Sequence, residues 1–337
     1  MKGKNLIIVG LVTMLAVVAL VVVKGKMRPE RPKFEGPVEH LSIGVVGDTS
    51  LLILLAKEWG LFEENGLEVE IERYTFGAQG LGEVLAGRSD VAVGADYVGT
   101  LNSFDNGDFR IVASIAKTNA YEIVARADNG LNIPADVRGK RIGVTRGTAG
   151  DYWLGVFLRS NRLTEEDVEI VDLRPPEIIQ ALIDGEIDAG LNLEPYTSNV
   201  KDELAGKTVS WYGERGQGIY SLVYVAAEVI ETKPEAVERM IRAIVEAEES
   251  FKGERAKGWE FMQSYFEYDN AYMEQVVKPK YIFGVNLAED LVLSMEDEAR
   301  WMLARGMTSQ TVVPNYLNLI YFEALDVVKP EAVSIIH

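Results

Sequence analysis

GKRIGVTRGTAGDYWLGVFLRS, residues Gly139–Ser160, reads as a short buried strand (Arg141–Thr145), a tight turn (Arg146-Gly147) and a helix over about Thr148–Ser160. Thr148 is suited to cap that helix, and the flanking glycines let backbone come close to a ligand. A helix that starts straight after a strand leaves unpaired N–H groups aimed into a crevice, an arrangement that suits an anion or a polar carbonyl.

The pattern occurs twice. Ile43-Gly44-Val45 matches Ile142-Gly143-Val144 at an offset of 99 (142 − 43), and Val69-Glu70-Ile71 matches Val168-Glu169-Ile170 at 99 (168 − 69). Gly87-x-x-Asp90 matches Gly185-x-x-Asp188 at 98 (185 − 87). Three matches near one offset point to an internal duplication of an α/β half. Any two strand–helix–strand units look somewhat alike, and that simpler explanation also leaves two halves with comparable helix N-termini.

Composition narrows the chemistry. A length of 337 residues suits one large or two medium domains. A net charge of −18 argues against nucleic acid and anionic membrane surfaces as partners. The chain has no cysteine, which excludes thiol catalysis, disulfides and cysteine metal sites. Its two histidines, His40 and His337, lie far apart, so a histidine metal cluster or a Ser-His-Asp triad is not expected, and neither is a cofactor.

Leu6–Val23 is an apolar run of 18 residues (23 − 6 + 1) behind Lys2 and Lys4. It nearly spans a bilayer core and carries no small-residue cleavage site, so residues 1–24 read as a signal anchor, with a cleaved signal peptide as the alternative. Lys24, Lys26, Arg28, Arg31 and Lys33 follow it and count weakly toward a cytoplasmic bulk. Residues 25–37, with Pro29, Pro32 and Pro37, read as a tether.

From His40 on, strands and helices alternate: strands at Leu41–Val46, Leu67–Tyr74, Val91–Gly94, Arg110–Ala116 and Tyr121–Ala125, with helices between the earlier ones. The second half adds strands at Val168–Asp172 and Ile187–Leu191, a helix at Pro176–Ile183, and a β-rich run, Ile219–Ala226, long enough to cross back to the first half. This spacing indicates mostly parallel sheets covered on both faces. The tail reads as helical: a capping box at Thr232-Lys233-Pro234-Glu235, then helices at Ala288–Leu303 and Asn315–Val327. Its Tyr, Trp and Met residues read as core.

Several pieces, in order over residues 40–250, resemble a known family. They are Leu55-Ala56-Lys57-Glu58-Trp59-Gly60-Leu61-Phe62 with Gly66-Leu67-Glu68-Val69, Leu85-Ala86-Gly87-Arg88-Ser89-Asp90-Val91-Ala92 and Val137-Arg138-Gly139-Lys140-Arg141-Ile142-Gly143-Val144. Ala181-Leu182-Ile183-Asp184-Gly185-Glu186-Ile187-Asp188-Ala189 and Glu194-Pro195-Tyr196 complete the set. Together they resemble the nitrate/sulfonate/taurine-type periplasmic solute-binding proteins of ABC importers, a group that includes binders of pyrimidine precursors and aromatic acids. The resemblance implies a two-lobed α/β periplasmic-binding-protein-like fold (type II, Venus flytrap). Lobe one would be 38–121 plus 222–337, lobe two 122–221, with crossover strands near Tyr121–Ala125 and Ile219–Val225 as the hinge. It implies a small-molecule solute, an ABC permease and its ATPase as partners, and an extracytoplasmic location tethered by the N-terminal helix, or a secreted one if that helix is cut. The chain departs from many relatives in lacking a lipid-accepting cysteine and in carrying Asn192-Leu193 where an aromatic residue precedes Glu-Pro.

By position, the cleft would be lined by Asp48, Thr49 and Ser50, by Gly77, Ala78 and Gln79, and by Asp96 and Tyr97 from lobe one. Lobe two would add Thr148, Ala149, Gly150 and Asp151, then Asn192 and Glu194, with Thr118, Asn119, Gln217 and Tyr220 near the hinge. Ordinary helix capping competes with ligand contact for Asp48, Thr49, Asp96 and Thr148. Helix N-termini favour a sulfonate, carboxylate or nitrate. Asp48, Asp96, Asp151 and Glu194 oppose a bare anion unless Arg146 or Arg215 enters the cleft, and a neutral or amine-bearing solute stacked on Tyr97 or Tyr152 fits as well. A membrane-anchored sensing ectodomain is the alternative function. An enzyme on the same fold is disfavoured: related desulfinases use a cysteine, which this chain lacks, and related pyrimidine synthases depend on histidine and lysine in the pocket, where His40 and His337 are badly placed.

Overall fold

The computed structural model describes residues 34–336 apart from 106, 120 and 214–216. The apolar run Leu6–Val23 lies outside the described residues, and among those described no helix is long and apolar enough to cross a membrane. The chain divides into two units, Met1–Gly36 and Pro37–His337, and the fold belongs to the second.

Two sheets organise it. Strands β1 (Glu39–Val46), β2 (Leu67–Tyr74), β3 (Val91–Ala95), β4 (Phe109–Thr118), β10 (Ile219–Ala226) and β11 (Tyr281–Asn286) form a six-stranded sheet in the order β11-β4-β10-β3-β1-β2. Strands β5 (Tyr121–Arg126), β6 (Arg141–Val144), β7 (Glu169–Asp172), β8 (Ala189–Leu193) and β9 (Thr208–Tyr212) form a five-stranded sheet in the order β7-β6-β8-β5-β9. The chain leaves the first sheet after Thr118 and re-enters it at Ile219. Each sheet is the core of one lobe.

The helices follow their strands. Helices α1 (Leu51–Glu58), α2 (Gly77–Leu85) and α3 (Asp96–Asn102) belong to the first sheet. Helix α1 is buried from Leu51 to Ala56, the stretch that is apolar on every side, and only its end at Lys57 and Glu58 is polar. Helices α4 (Ala149–Ser160), α5 (Pro175–Asp184) and α6 (Tyr196–Glu203) accompany the second. The tail adds α7 (Pro234–Gly253), α8 (Arg255–Phe266) and α9 (Glu289–Ala304). Along α7, Val237, Met240, Ile241, Ile244, Val245 and Phe251 are buried at helical spacing, and this face packs on α1.

The repeat has a physical basis. In the first sheet β1 pairs in parallel with β2 and β3, through Ile43↔Ile71 and Ile43↔Val91. In the second, β6 pairs in parallel with β7 and β8, through Ile142↔Ile170 and Ile142↔Ala189. The two G-x-x-D turns do the same work in each. Asp90 Oδ2 accepts the Ser42 backbone N–H at 2.8 Å, and Asp188 Oδ2 accepts that of Arg141 at 3.0 Å. Gly87 (φ 67°) and Gly185 (φ 76°) end the preceding helices in the left-handed region that glycine tolerates. Each third strand then meets a strand arriving from the other half: β10 runs antiparallel to β3, and β5 antiparallel to β8.

Some local expectations change. The helix expected over Asn315–Val327 is instead a 3-10 turn (Tyr316–Leu319) and a short helix (Glu323–Val328). Thr232 does not cap α7; its hydroxyl donates to Glu228 O in the preceding turn, and Lys233 holds the cap position. Thr148 occupies the cap position of α4, but its hydroxyl donates backward to Thr145 O at 2.7 Å. Asp151, inside the first turn, accepts the Gly147 N–H at 3.1 Å instead.

Candidate functional site

Most of the expected site residues fall at the carboxyl ends of β1, β2, β3, β6 and β8, with Asn119 after β4 and Tyr220 at the start of β10, and their side chains divide into two groups. One group fastens turns. Thr49 and Ser50 hydroxyls donate to Val46 O at 3.1 and 3.2 Å. Asn192 is buried, with its amide donating to Pro175 O at 2.9 Å. Asp151 is buried and salt-bridged to Arg146 at 2.8 Å, and Arg146 also meets Glu165 at 3.2 Å. Tyr220 is buried, its hydroxyl bonded by Lys117 at 2.7 Å and paired with Asp290. Asp96 is buried beneath the lobe-one surface, accepting from Tyr97 N–H at 3.0 Å and from the Ser294 hydroxyl at 3.2 Å. Asn119 donates its backbone N–H to Lys280 O at 3.2 Å. Gln79 is exposed at the start of α2.

The second group joins the lobes. The Tyr97 hydroxyl donates to Gly147 O at 3.3 Å, at the turn before Thr148, Ala149 and Gly150. Trp301, from α9, packs edge-on against Tyr152 of α4 with centroids 5.7 Å apart, and its indole faces Gly155. Arg305 pairs with Glu165. On this side the two lobes are packed together.

Elsewhere between the lobes lies a cavity of about 590 Å³. Lobe one contributes Asp269, Tyr272, Gln275 and Lys280; lobe two contributes Glu122, Glu194, Ser198, Lys201, Asp202 and Tyr212. Of the residues expected from sequence, Glu194 is the one that lines it. At its wall, Lys280 Nζ lies 2.7 Å from Glu122 Oε1 and 2.6 Å from Glu194 Oε1, and all three side chains are about 5% exposed or less. Lys201 pairs with the other oxygen of Glu122, while Glu194 Oε2 accepts the Ser198 N–H at 3.1 Å. Burial alone would raise the two carboxyls, but hydrogen bonds and charge from the lysines hold both below the usual range. Burial would lower Lys280, and the same two carboxylates raise it instead.

Asp48 belongs to an adjoining aromatic group. The hydroxyls of Tyr268 (3.1 Å) and Tyr281 donate to it, and Tyr268 lies 4.7 Å from Tyr272, centroid to centroid. Burial pushes the Asp48 carboxyl up, and these hydroxyls partly offset the push.

Sequence reasoning missed Lys280, Glu122, Lys201, Tyr212 and the tyrosines of 265–281, which it assigned to the core. The tyrosine-rich run Tyr265-Phe266-Glu267-Tyr268 was a visible signal. Lys280 had none, because only the folded chain sets it opposite Glu122 and Glu194.

Comparisons agree with this architecture. A binding protein of Brucella abortus is 26% identical over 246 residues, covering 70% of this chain and 74% of its own length. A Bacillus subtilis protein named as an aliphatic sulfonates-binding protein is 24% identical over 271 residues, covering 78% and 80%. The solved structure of the periplasmic aliphatic sulphonate binding protein SsuA from Escherichia coli superposes with a TM-score of 0.72 at 18% identity, over 83% of this chain and 98% of that one. The NMT1/THI5-like family profile matches residues 49–252, more than half of the sequence. The chain belongs to the NMT1/THI5-like family and has its two-lobed α/β binding-protein fold.

Proposed function

We propose that this chain is the extracytoplasmic receptor of an ABC importer, capturing a small solute between its lobes and presenting the closed form to a permease. The observation that carries the reading is the cavity of about 590 Å³ whose wall comes from both lobes. A solute touching both walls favours the closed arrangement by its differential affinity, and closure is a change of shape that a membrane partner can read. The lobes are 38–121 plus 222–337 and 122–221, and the two chain crossings between them form the hinge. The apolar run Leu6–Val23 serves as the membrane anchor, and residues 25–37 as the tether. Relatives named for aliphatic sulfonates make sulfonates the first solutes to test, and a chain without cysteine cannot run thiol chemistry on this fold.

The test is a thermal-shift screen of the full-length chain against sulfonates, nitrate, aromatic acids, pyrimidines and amines. A true solute at about 100 times its dissociation constant adds roughly 2.7 kcal/mol of stability, so the midpoint rises by a few degrees. Silence across every class contradicts the receptor reading.

A further inference from the structure

The inter-lobe cavity already holds one ammonium group. Lys280 Nζ is bracketed by Glu122 and Glu194 at 2.7 and 2.6 Å and lies 5.9 Å from the centre of the Tyr212 ring. Two carboxylates and an aromatic face are the partners that a cation leaving water needs. Both lysines of the wall are committed in this way, since Lys201 takes the remaining oxygen of Glu122. Asp202 and Asp269 also face the cavity, so its described lining carries four carboxylates against two ammonium groups, a balance of −2 (2 − 4).

The field behind the wall has the same sign. Tyr272 lines the cavity, and burial first, then the charges of Glu194 and Asp48, hold its hydroxyl proton far above the ordinary phenol range. An anionic solute entering here meets a negative potential, and both wall lysines already share their charge with the buried carboxylates of Glu122 and Glu194. A cation meets the half-exposed Tyr212 ring, the Tyr272 ring beside Tyr268, and carboxylates at the rim.

On the receptor reading above, we propose that the solute is a small organic cation, carrying an alkylammonium or amidinium group, seated on Tyr212 and Tyr272 with Asp202 and Asp269 as counter-charges. This separates the chain from the sulfonate binders that share its fold.

Isothermal titration of the full-length chain at low ionic strength tests it, with tetramethylammonium chloride, butylammonium chloride and sodium butanesulfonate as probes. At least one ammonium is expected to bind with a dissociation constant ten or more times below that of the sulfonate. Asp202→Asn alters an exposed side chain, so its thermal midpoint should hold. Tyr212→Leu also removes the ring that faces Lys280, so it is read by the ratio of ammonium to sulfonate affinity. The ammonium dissociation constant should rise threefold or more in each. Tighter binding of butanesulfonate overturns the cation assignment and leaves the receptor reading standing. Ammonium binding that ignores both substitutions overturns it too, because the cation then sits elsewhere. Silence from all three probes also overturns it, whereas the receptor reading falls only if the wider solute screen is silent as well.

Discussion

Glu298 has no exposed surface, and its Oε1 has no hydrogen-bond partner among the described residues. Its other oxygen accepts the Thr100 hydroxyl at 2.8 Å. One turn away on each of the facing helices α3 and α9, Asp96 accepts the Ser294 hydroxyl. Two acids therefore share one buried seam. Burial pushes Asp96 to about 7, and burial together with the Asp96 charge holds Glu298 well above its usual range. A folded-state value above the unfolded one, near 3.8 for Asp96, means that the native seam binds protons more tightly. Its contribution is complete below about pH 3.8 and is lost as pH rises toward about 7. Glu298→Gln removes one titrating member, so the fall in stability between pH 5 and pH 8 should flatten by roughly 1–2 kcal/mol, read by urea denaturation across that range. Lys280 makes the opposite case. Glu122 and Glu194 are held below the ordinary value of 4.5 by the lysines, so their stabilisation is present above that pH and lost as pH falls through the lowered values. Lys280→Met leaves buried Glu194 without its cation and Glu122 with Lys201 alone, and should cost about 3–5 kcal/mol at pH 7. The deficit should shrink toward pH 4, where the orphaned carboxyls take up protons; a deficit constant across pH would contradict the ion cluster. Glu194 could be found from sequence because its place at the end of a strand marks it. Lys280 could not, since a lysine reads as a solvent-facing residue until its partners are known.

The repeated units were legible because their signals are local. Strands β2 and β10 begin and end where alternation and apolar runs put them, and the G-x-x-D turns recur because each aspartate ties down the first strand of its half. Strands β9 and β11 were not legible. Thr208–Tyr212 is half exposed at a sheet edge, and Tyr281–Asn286 joins the other sheet at an edge with a break in register, so neither shows a clean apolar pattern. The capping expectations failed for a related reason: a hydroxyl near a helix start has several carbonyls within reach, and Thr148 and Thr232 both turn backward. Helix α3 is fixed by contact rather than by a cap. The Tyr224 hydroxyl donates to Ala95 O at 2.7 Å and accepts the Gly99 N–H at 3.1 Å. A Cβ on Gly99 would lie 2.6 Å from that oxygen. Gly99→Ala should therefore destabilise the chain by about 1–3 kcal/mol, despite alanine's better helix propensity; a stabilising result in chemical denaturation would show that α3 is free to shift.

The two lobes are joined by unlike contacts on two sides. Trp301, Tyr152 and Tyr97 form an aromatic seam, with ring centroids 5.7 Å (Trp301–Tyr152) and 6.4 Å (Trp301–Tyr97) apart. The cavity side is ionic, built on Lys280, Glu122 and Glu194. Buried ion pairs sit close to energetic balance against water, so the cavity side is where a modest solute affinity can decide between arrangements. Sequence reasoning gathered candidates from the strand ends and led to the right fold, but it spread them over both sides, because a one-dimensional reading cannot tell a packed seam from an open wall. The direct test is the distance between the lobes. With no native cysteine, E64C and E203C place unique labels on exposed positions, one in each lobe. The distance between them is measured by electron paramagnetic resonance with and without a solute that raises the thermal midpoint. The account predicts that the solute shortens it and narrows its distribution. A bound solute that leaves the distance unchanged would contradict capture by closure.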